Sequence, residues 1–176
     1  VNLEEKTSVE IVEAVLRGDG EAGNVSDGVD AAGVQLHPCG QDNLVLIISV
    51  GHRFKELSSL RLSDVTGEIF IGLWPESALQ KHIDAQAAQI GCSLNFRIKV
   101  KTFDALCELV SRGAGIGIVP ENIAVRIRQR SAFDIPSLSV RWARRNLCLC
   151  YRDWNSLSGS LKSLLSHLMA QSNLLA

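Results

Sequence analysis

Between Ile69 and Arg130, strand-length apolar runs alternate with helix-length amphipathic stretches, and this alternation narrows the choice of folds more than any other feature of the chain. Ile69 to Leu73 reads as a strand, and Ser77 to Ile90 as a helix. Ser77 and Gln80 stand at capping-box spacing there, Leu79, Ile83, Ala87 and Ile90 share a face, and Gly91 supplies the stop. From Leu94 to Val100 apolar Leu94, Phe96, Ile98 and Val100 alternate with polar Asn95, Arg97 and Lys99, the pattern of a half-exposed strand. Thr102 then opens a helix with Phe103, Leu106, Cys107 and Val110 facing inward and Gly113 at its end. Gly115 to Val119 is a further strand, and Pro120 opens a helix that runs to Arg130. Strands and helices in strict alternation predict an α/β fold, with parallel sheets covered by helices.

The same rhythm begins upstream. Thr7 to Gly18 has the marks of a helix: Thr7 and Glu10 at capping-box spacing, Val9, Val12 and Leu16 at helical intervals, and a terminal glycine. Residues 1–6 before it and Glu21 to Val25 after it are strand-length. Val34 to His37 and Asn43 to Val50 read as two strands parted by a turn at Pro38-Cys39-Gly40. The polar passage from Gly51 to Gly67 breaks the pattern and is the expected crossing between two lobes. Arg145 to Arg152 reads as a returning strand, and Leu157, Leu161, Leu164, Leu165 and Leu168 as the apolar stripe of a final helix.

Composition excludes several classes. The chain has 176 residues with 18 basic against 19 acidic side chains, so it carries no broad field to attract nucleic acid or anionic lipid. No apolar run approaches the ~20 residues needed to span a bilayer. The first residues resemble no secretory leader, and the absence of an initiator Met suggests a longer protein upstream. Five cysteines, at 39, 92, 107, 148 and 150, form no Cys-x-x-Cys pair and lie near no histidine at metal-ligand spacing, so buried thiols in a reducing cytoplasm are expected, with no metal and no cofactor. Cys148 and Cys150, two apart on a strand, should share a face. No Gly-x-Ser-x-Gly elbow, Walker loop or His-Glu-x-x-His appears, and no catalytic residue is expected. Gly113, Gly115 and Gly117 follow a helix and precede a strand, the reverse of a dinucleotide fingerprint. Arg126, Arg128, Arg130, Arg141, Arg144 and Arg145 lack interleaved aromatics and read as a solvated face or a subunit contact.

A helix start presents unpaired N–H groups and a partial positive charge, and so favours an anionic group, with a Ser or Thr adding a hydroxyl. In a parallel sheet these starts follow the carboxyl ends of the strands, where open α/β folds hold ligands. The candidates are Thr7 and Ser8, then Ser77, Thr102 and Phe103. Each hydroxyl also has a plainer reading as a helix cap.

Three stretches resemble the effector-binding domain of LysR-type transcription regulators: Ser8 to Val25, with Glu13-Ala14-Val15-Leu16-Arg17-Gly18; Asp42 to Phe54, where Arg53 stands in place of the usual proline; and, most specific, Thr102 to Glu121. The resemblance implies a periplasmic-binding-protein-like fold of type 2. That is two Rossmann-like lobes, 1–67 with 142–176 and 68–141, joined by a hinge of two crossing strands. It adds Ser26 to Ser8 and Thr102 as ligand contacts and implies a small-molecule effector, a carboxylate among the candidates, held between the lobes. It further implies a cytoplasmic homodimer or homotetramer that carries no chemistry. DNA would be read only by a winged helix-turn-helix outside this chain, which also lacks the family's first strand and helix. A periplasmic solute receptor is the alternative, and an α/β enzyme the more distant one.

Overall fold

A computed structural model describes residues 3, 4 and 6–172. The chain divides into two compact units, Val1–Gln41 with Arg145–Ala176 and Asp42–Arg144.

In the first unit, helix α1 (Ser8–Arg17) starts at the expected capping box. The Thr7 hydroxyl accepts from the Glu10 N–H at 3.3 Å, and the Glu10 carboxylate accepts from the Thr7 N–H at 2.7 Å. Gly18, at φ 83°, ends the helix with its N–H turned back to the carbonyls of Ala14 and Val15. The buried face is carried by Val12, Ala14 and Val15, whereas Val9 and Leu16 are exposed at 59% and 40%. That phase differs from the one read off the sequence because the helix packs close on strand β1 (Ala22–Ser26): a Cβ on Gly23 would lie 2.4 Å from Ile11 Cγ2. The missing side chain lets Ile11 settle onto the strand.

Strand β1 runs antiparallel to the last strand, labelled β9 (Arg144–Tyr151), with Val25 opposite Cys148. Beside β9 lies β2 (Gln35–Ser49). Alternation along β9 feeds two small cores. Cys148 and Cys150 face α1 with Val12, Val15 and Val25, and Leu149 and Tyr151 face the other way, with Leu157 and Leu165. Leu165 belongs to the last helix, α6 (Gly159–Ser172); Leu164 and Leu168, expected in its stripe, are exposed. The strand expected over 1–6 falls partly on residues 1, 2 and 5, outside the described residues, and Leu3, Glu4 and Lys6 are in no strand.

The two strands expected around Pro38-Cys39-Gly40 are one. The strands that pair with the later part of β2 meet it only from Leu44 onward, so its first half has an edge free of them. An edge tolerates a proline, which has no N–H to offer, and Gly40 takes φ 156° without interrupting the strand.

The second half of β2 anchors the second unit. Leu44 to Ile48 are successively buried and pair antiparallel with β6 (Gly117–Pro120) and β7 (Phe133–Asp134). Val45 also faces Ser137 of β8 (Ser137–Leu138), which lies parallel to β3 (Ser59–Leu60). Leu60, and Leu62 and Val65 of the short helix α2 (Leu62–Val65), join the same core as Phe70 and Ile71. The passage 51–67 is therefore packed into the second unit, and the units part at Gln41/Asp42 rather than in that passage. Its leucines are too few and too scattered to show a period, which is why it reads as a linker.

Strand β4 (Ile69–Leu73) pairs parallel with β5 (Asn95–Val100), and Phe70 bridges in parallel to Ile116 just before β6. The helices α3 (Ala78–Gln89), α4 (Phe103–Ser111) and α5 (Glu121–Arg128) follow these three strands in turn. Alternation thus yields parallel pairing among β4, β5 and the entry to β6, while the strands that carry the chain from one unit to the next pair antiparallel with others, β2 with β6 and β9 with β1.

The approach at Gly115 has no slack, since a Cβ there would lie 2.5 Å from the Ile69 carbonyl oxygen, a backbone atom that cannot rotate away. Gly115→Ala should cost roughly 1–3 kcal/mol by overpacking, whereas Gly67→Ala, with nothing within 4 Å of the added methyl, should stay within about 0.5 kcal/mol of the parent in urea unfolding. Equal stability of the two variants would show that the chain passes further from β4 at this point.

Candidate functional site

In the second unit the parallel strands β4 and β5 end side by side, with Leu73 opposite Val100 and the Trp74 N–H donating to the Val100 carbonyl at 2.9 Å. The next residues along each strand meet as well. The Lys101 ammonium lies 4.1 Å from the centre of the Trp74 ring, and that ring is 45% exposed. Thr102 follows, its hydroxyl accepting from the Ala105 N–H at 3.3 Å to cap α4. Phe103 is half-buried against the core. A cation, an indole face and a helix start are brought together because two parallel strands in register must release their chains at the same edge.

Ser77 begins α3 but makes no side-chain cap bond to it, and the expected capping box with Gln80 is absent. Gln80 is 1% exposed and turned inward: its carbonyl accepts from the Leu73 N–H at 2.9 Å and its amide donates to Asp84 Oδ1 at 2.8 Å. Gly72 leaves the room for this, since a Cβ there would lie 2.7 Å from Gln80 Oε1. Gln80 is thus a positioning residue that ties α3 to the end of β4, just before Trp74.

In the first unit the Ser8 hydroxyl accepts from the Ser26 N–H at 3.0 Å, and the two hydroxyl oxygens are 3.5 Å apart. The start of α1 and the end of β1 are therefore joined by the two serines. The Thr7 hydroxyl is committed to Glu10, accepting from its N–H and donating to its carboxylate at 2.8 Å, so of the residues expected in this unit Ser8 and Ser26 form the pair with hydroxyls to offer.

Around these groups the charged side chains mostly serve structure. Arg112 and then Ser131, bonded to the Glu108 carboxylate, hold it below the usual carboxylate range. Arg130 pairs with Asp104. Together these bonds fasten α4 to the chain at and just beyond α5. Burial pushes the Cys107 thiol up to about 11 and raises those of Cys150, Cys148 and Cys39, with Asp27 adding to the rise at Cys148 and Cys148 to that at Cys39. These four thiols are held neutral, the opposite of an activated nucleophile. Among the described residues no group of three or more His, Cys, Asp and Glu side chains is placed to hold a metal ion.

The sequence pattern assigns Trp74 and Lys101 no role, and Gln80 only that of half a capping box. A signal for the first two was present: each lies one position past a readable strand. Their meeting depends on the parallel register of β4 and β5, which no local pattern reveals.

An α/β chain in two compact units, with hydroxyls, a cation and an aromatic face gathered at strand ends, belongs to the class of small-molecule-binding domains. More particularly, the chain belongs to the LysR substrate binding domain family, which it matches over residues 1–173. It is 36% identical over 90 residues to the regulatory protein NocR of Agrobacterium tumefaciens (strain T37), a match that covers 51% of this chain and 30% of that protein. It is 24% identical over 155 residues to the HTH-type transcriptional regulator YwbI of Bacillus subtilis (strain 168), covering 81% of this chain and 50% of that one. The chain thus spans no more than half the length of these relatives. Among solved structures, the regulatory domain of MetR, a LysR family regulator from N. meningitidis, superposes with a TM-score of 0.79 at 13% identity, over 99% of this chain and 80% of that one. The regulatory domain of CcmR from Synechocystis PCC6803, in complex with 2-PG, gives 0.76 at 18%, over 98% and 83%. These likenesses establish the fold, the periplasmic-binding-protein-like α/β fold of LysR effector-binding domains. No helix among the described residues is long and apolar enough to cross a membrane.

The raised thiol has a measurable consequence. A folded pKa above the unfolded value stabilises the fold at pH below the ordinary 9.0, and that stabilisation drains away as pH climbs towards about 11. For Cys107 the loss between pH 8 and pH 10.5 should reach up to about 2 kcal/mol, read as a fall in urea-unfolding stability that is shallower in Cys107→Ala. Parallel pH profiles for the two proteins would show instead that Cys107 ionises freely in the fold.

Proposed function

We propose that this chain is the sensing domain of a transcription regulator, that it binds a small carboxylate-bearing effector, and that its two lobes correspond to its compact units. The lobe boundaries then fall at Gln41/Asp42 and Arg144/Arg145, in place of the 67 and 141 suggested by the sequence. The observation that carries the proposal is the presence of a polar rim at strand ends in each unit: Ser8 with Ser26 in one, Lys101 and Trp74 beside Thr102 in the other. Thr7, Ser77 and Phe103 flank these and shape the rim. Structural relatives are described with shikimate, with benzoate and with 2-PG, and the first two of these are carboxylates.

In this reading Lys101 supplies the charge for the carboxylate, Thr102 and Ser8 supply hydroxyls, and Trp74 offers a flat apolar wall. Effector binding shifts the population of the domain's conformations, and through them the arrangement of subunits in a homodimer or homotetramer. DNA is read by a domain outside this chain, as the names of the curated relatives as regulators suggest. The protein is cytoplasmic, uses no cofactor and catalyses nothing.

The test is a thermal-shift titration of the whole regulator with shikimate, benzoate and related carboxylates. A ligand at 100 times its dissociation constant should add about 2.7 kcal/mol of stability. Lys101→Gln should weaken that ligand about tenfold or more, the worth of one charge-assisted hydrogen bond. If no carboxylate raises the melting temperature or changes DNA affinity, the sensing role fails.

A further inference from the structure

We propose that the second unit carries its own anion-binding groove, formed where the chain enters and leaves that unit, and that its ligand is a small carboxylate with an apolar body. The groove encloses about 420 Å³, within the usual size of small-molecule sites. One wall is Asn43, Leu44 and Val45, the first residues past the Gln41/Asp42 division; the other includes Arg141, Ala143 and Arg144, the last before Arg144/Arg145. Every lining residue lies in the second unit, so the groove is complete without the first. It shares no residue with the cluster of Trp74, Lys101 and Thr102.

The chemistry of the lining selects the ligand. Arg141 and Arg144 both reach the groove, and neither forms an ion pair among the described residues. Their neighbours along the basic stretch are otherwise engaged: Arg128 lies 3.6 Å from Asp134, and Arg130 pairs with Asp104. The single acid in the lining, Glu121, already accepts a hydrogen bond from the Asn43 amide at 3.2 Å. Two guanidiniums against one engaged carboxylate leave a net positive mouth, and a guanidinium fork matches a carboxylate in two parallel hydrogen bonds. Ser59 and Ser139 add hydroxyls at the rim, while Leu138 and Val140 make the floor apolar. The groove is therefore suited to an amphipathic anion rather than to a bare inorganic ion.

Its position gives the ligand a regulatory lever. An anion held by Arg141 and Arg144 against Asn43 to Val45 would touch both segments through which the chain passes between the units. Occupancy would stiffen the two crossings together, whether or not the site proposed above is filled.

Trp142, between the two arginines in sequence, packs against His82 rather than lining the groove, so binding is followed by isothermal titration calorimetry of the whole regulator. Hexanoate titrated into it should give a saturable binding heat that hexanamide does not produce. Inorganic phosphate, which can take the arginines but not the apolar floor, should bind at least tenfold more weakly. The pair Arg141→Gln and Arg144→Gln should weaken hexanoate about tenfold or more, while Lys101→Gln leaves it unchanged. Both arginines are exposed, so a circular dichroism spectrum and melting temperature equal to the parent's should accompany the loss. No saturable response, an unchanged affinity in the arginine variant, phosphate binding as tight as hexanoate, or a loss in Lys101→Gln instead would each overturn the groove; the last would move the anion to the strand-end cluster.

Discussion

Five consecutive residues, Leu44 to Ile48, are buried to 4% exposure or less, and the second unit is organised around them. A strand turns alternate side chains to opposite faces, so a run buried at every position needs cover on both. Side chains packed above and below supply it, with Ile47 near the Cβ position of Gly117, where Leu106 of α4 comes within 2.6 Å, while β6 and β7 hydrogen-bond along the strand's edge. At about 25 cal/mol per Å² of apolar surface removed from water, such a run is worth several kcal/mol, enough to fix the direction of every strand that pairs with it.

That direction has functional weight. Once β6 is held antiparallel to β2, the bridge from Ile116 to Phe70 sets β4 beside it, and β5 follows in parallel. The chain then leaves β4 and β5 at one edge, carrying Trp74 to Lys101 and starting α4 at Thr102. The same strand begins, at Asn43, the wall of the groove that Arg141 and Arg144 complete. One buried run thus helps to place both the strand-end cluster and the groove of the unit.

Much of this was legible in the chain itself. The capping box at Thr7, the alternation of β5 and the inward face of α4 at Leu106, Cys107 and Val110 are local patterns, and they appear in the structure at the expected residues. Other features were hidden for physical reasons. Pro38 and Gly40 looked like a turn, because their tolerance in β2 comes from an edge that only pairing creates. The face of α1 shifted towards Ile11 because Gly23 opens space across the sheet, a contact between residues twelve apart. Gln80 read as half of a capping box, and its burial beneath Leu73 depends on the small Gly72. Family resemblance located Ser8, Ser26 and Thr102 near strand ends, but neither resemblance nor spacing could single out Lys101 or Trp74, which meet only through register.

What most needs testing is whether a small carboxylate is held by the groups gathered where β4 and β5 end, with Lys101 supplying the charge. The most direct measurement is isothermal titration calorimetry of the whole protein with the carboxylate that most raises its melting temperature. Saturable binding is expected, weakened about tenfold or more in Lys101→Gln. An affinity unchanged in Lys101→Gln would contradict that assignment.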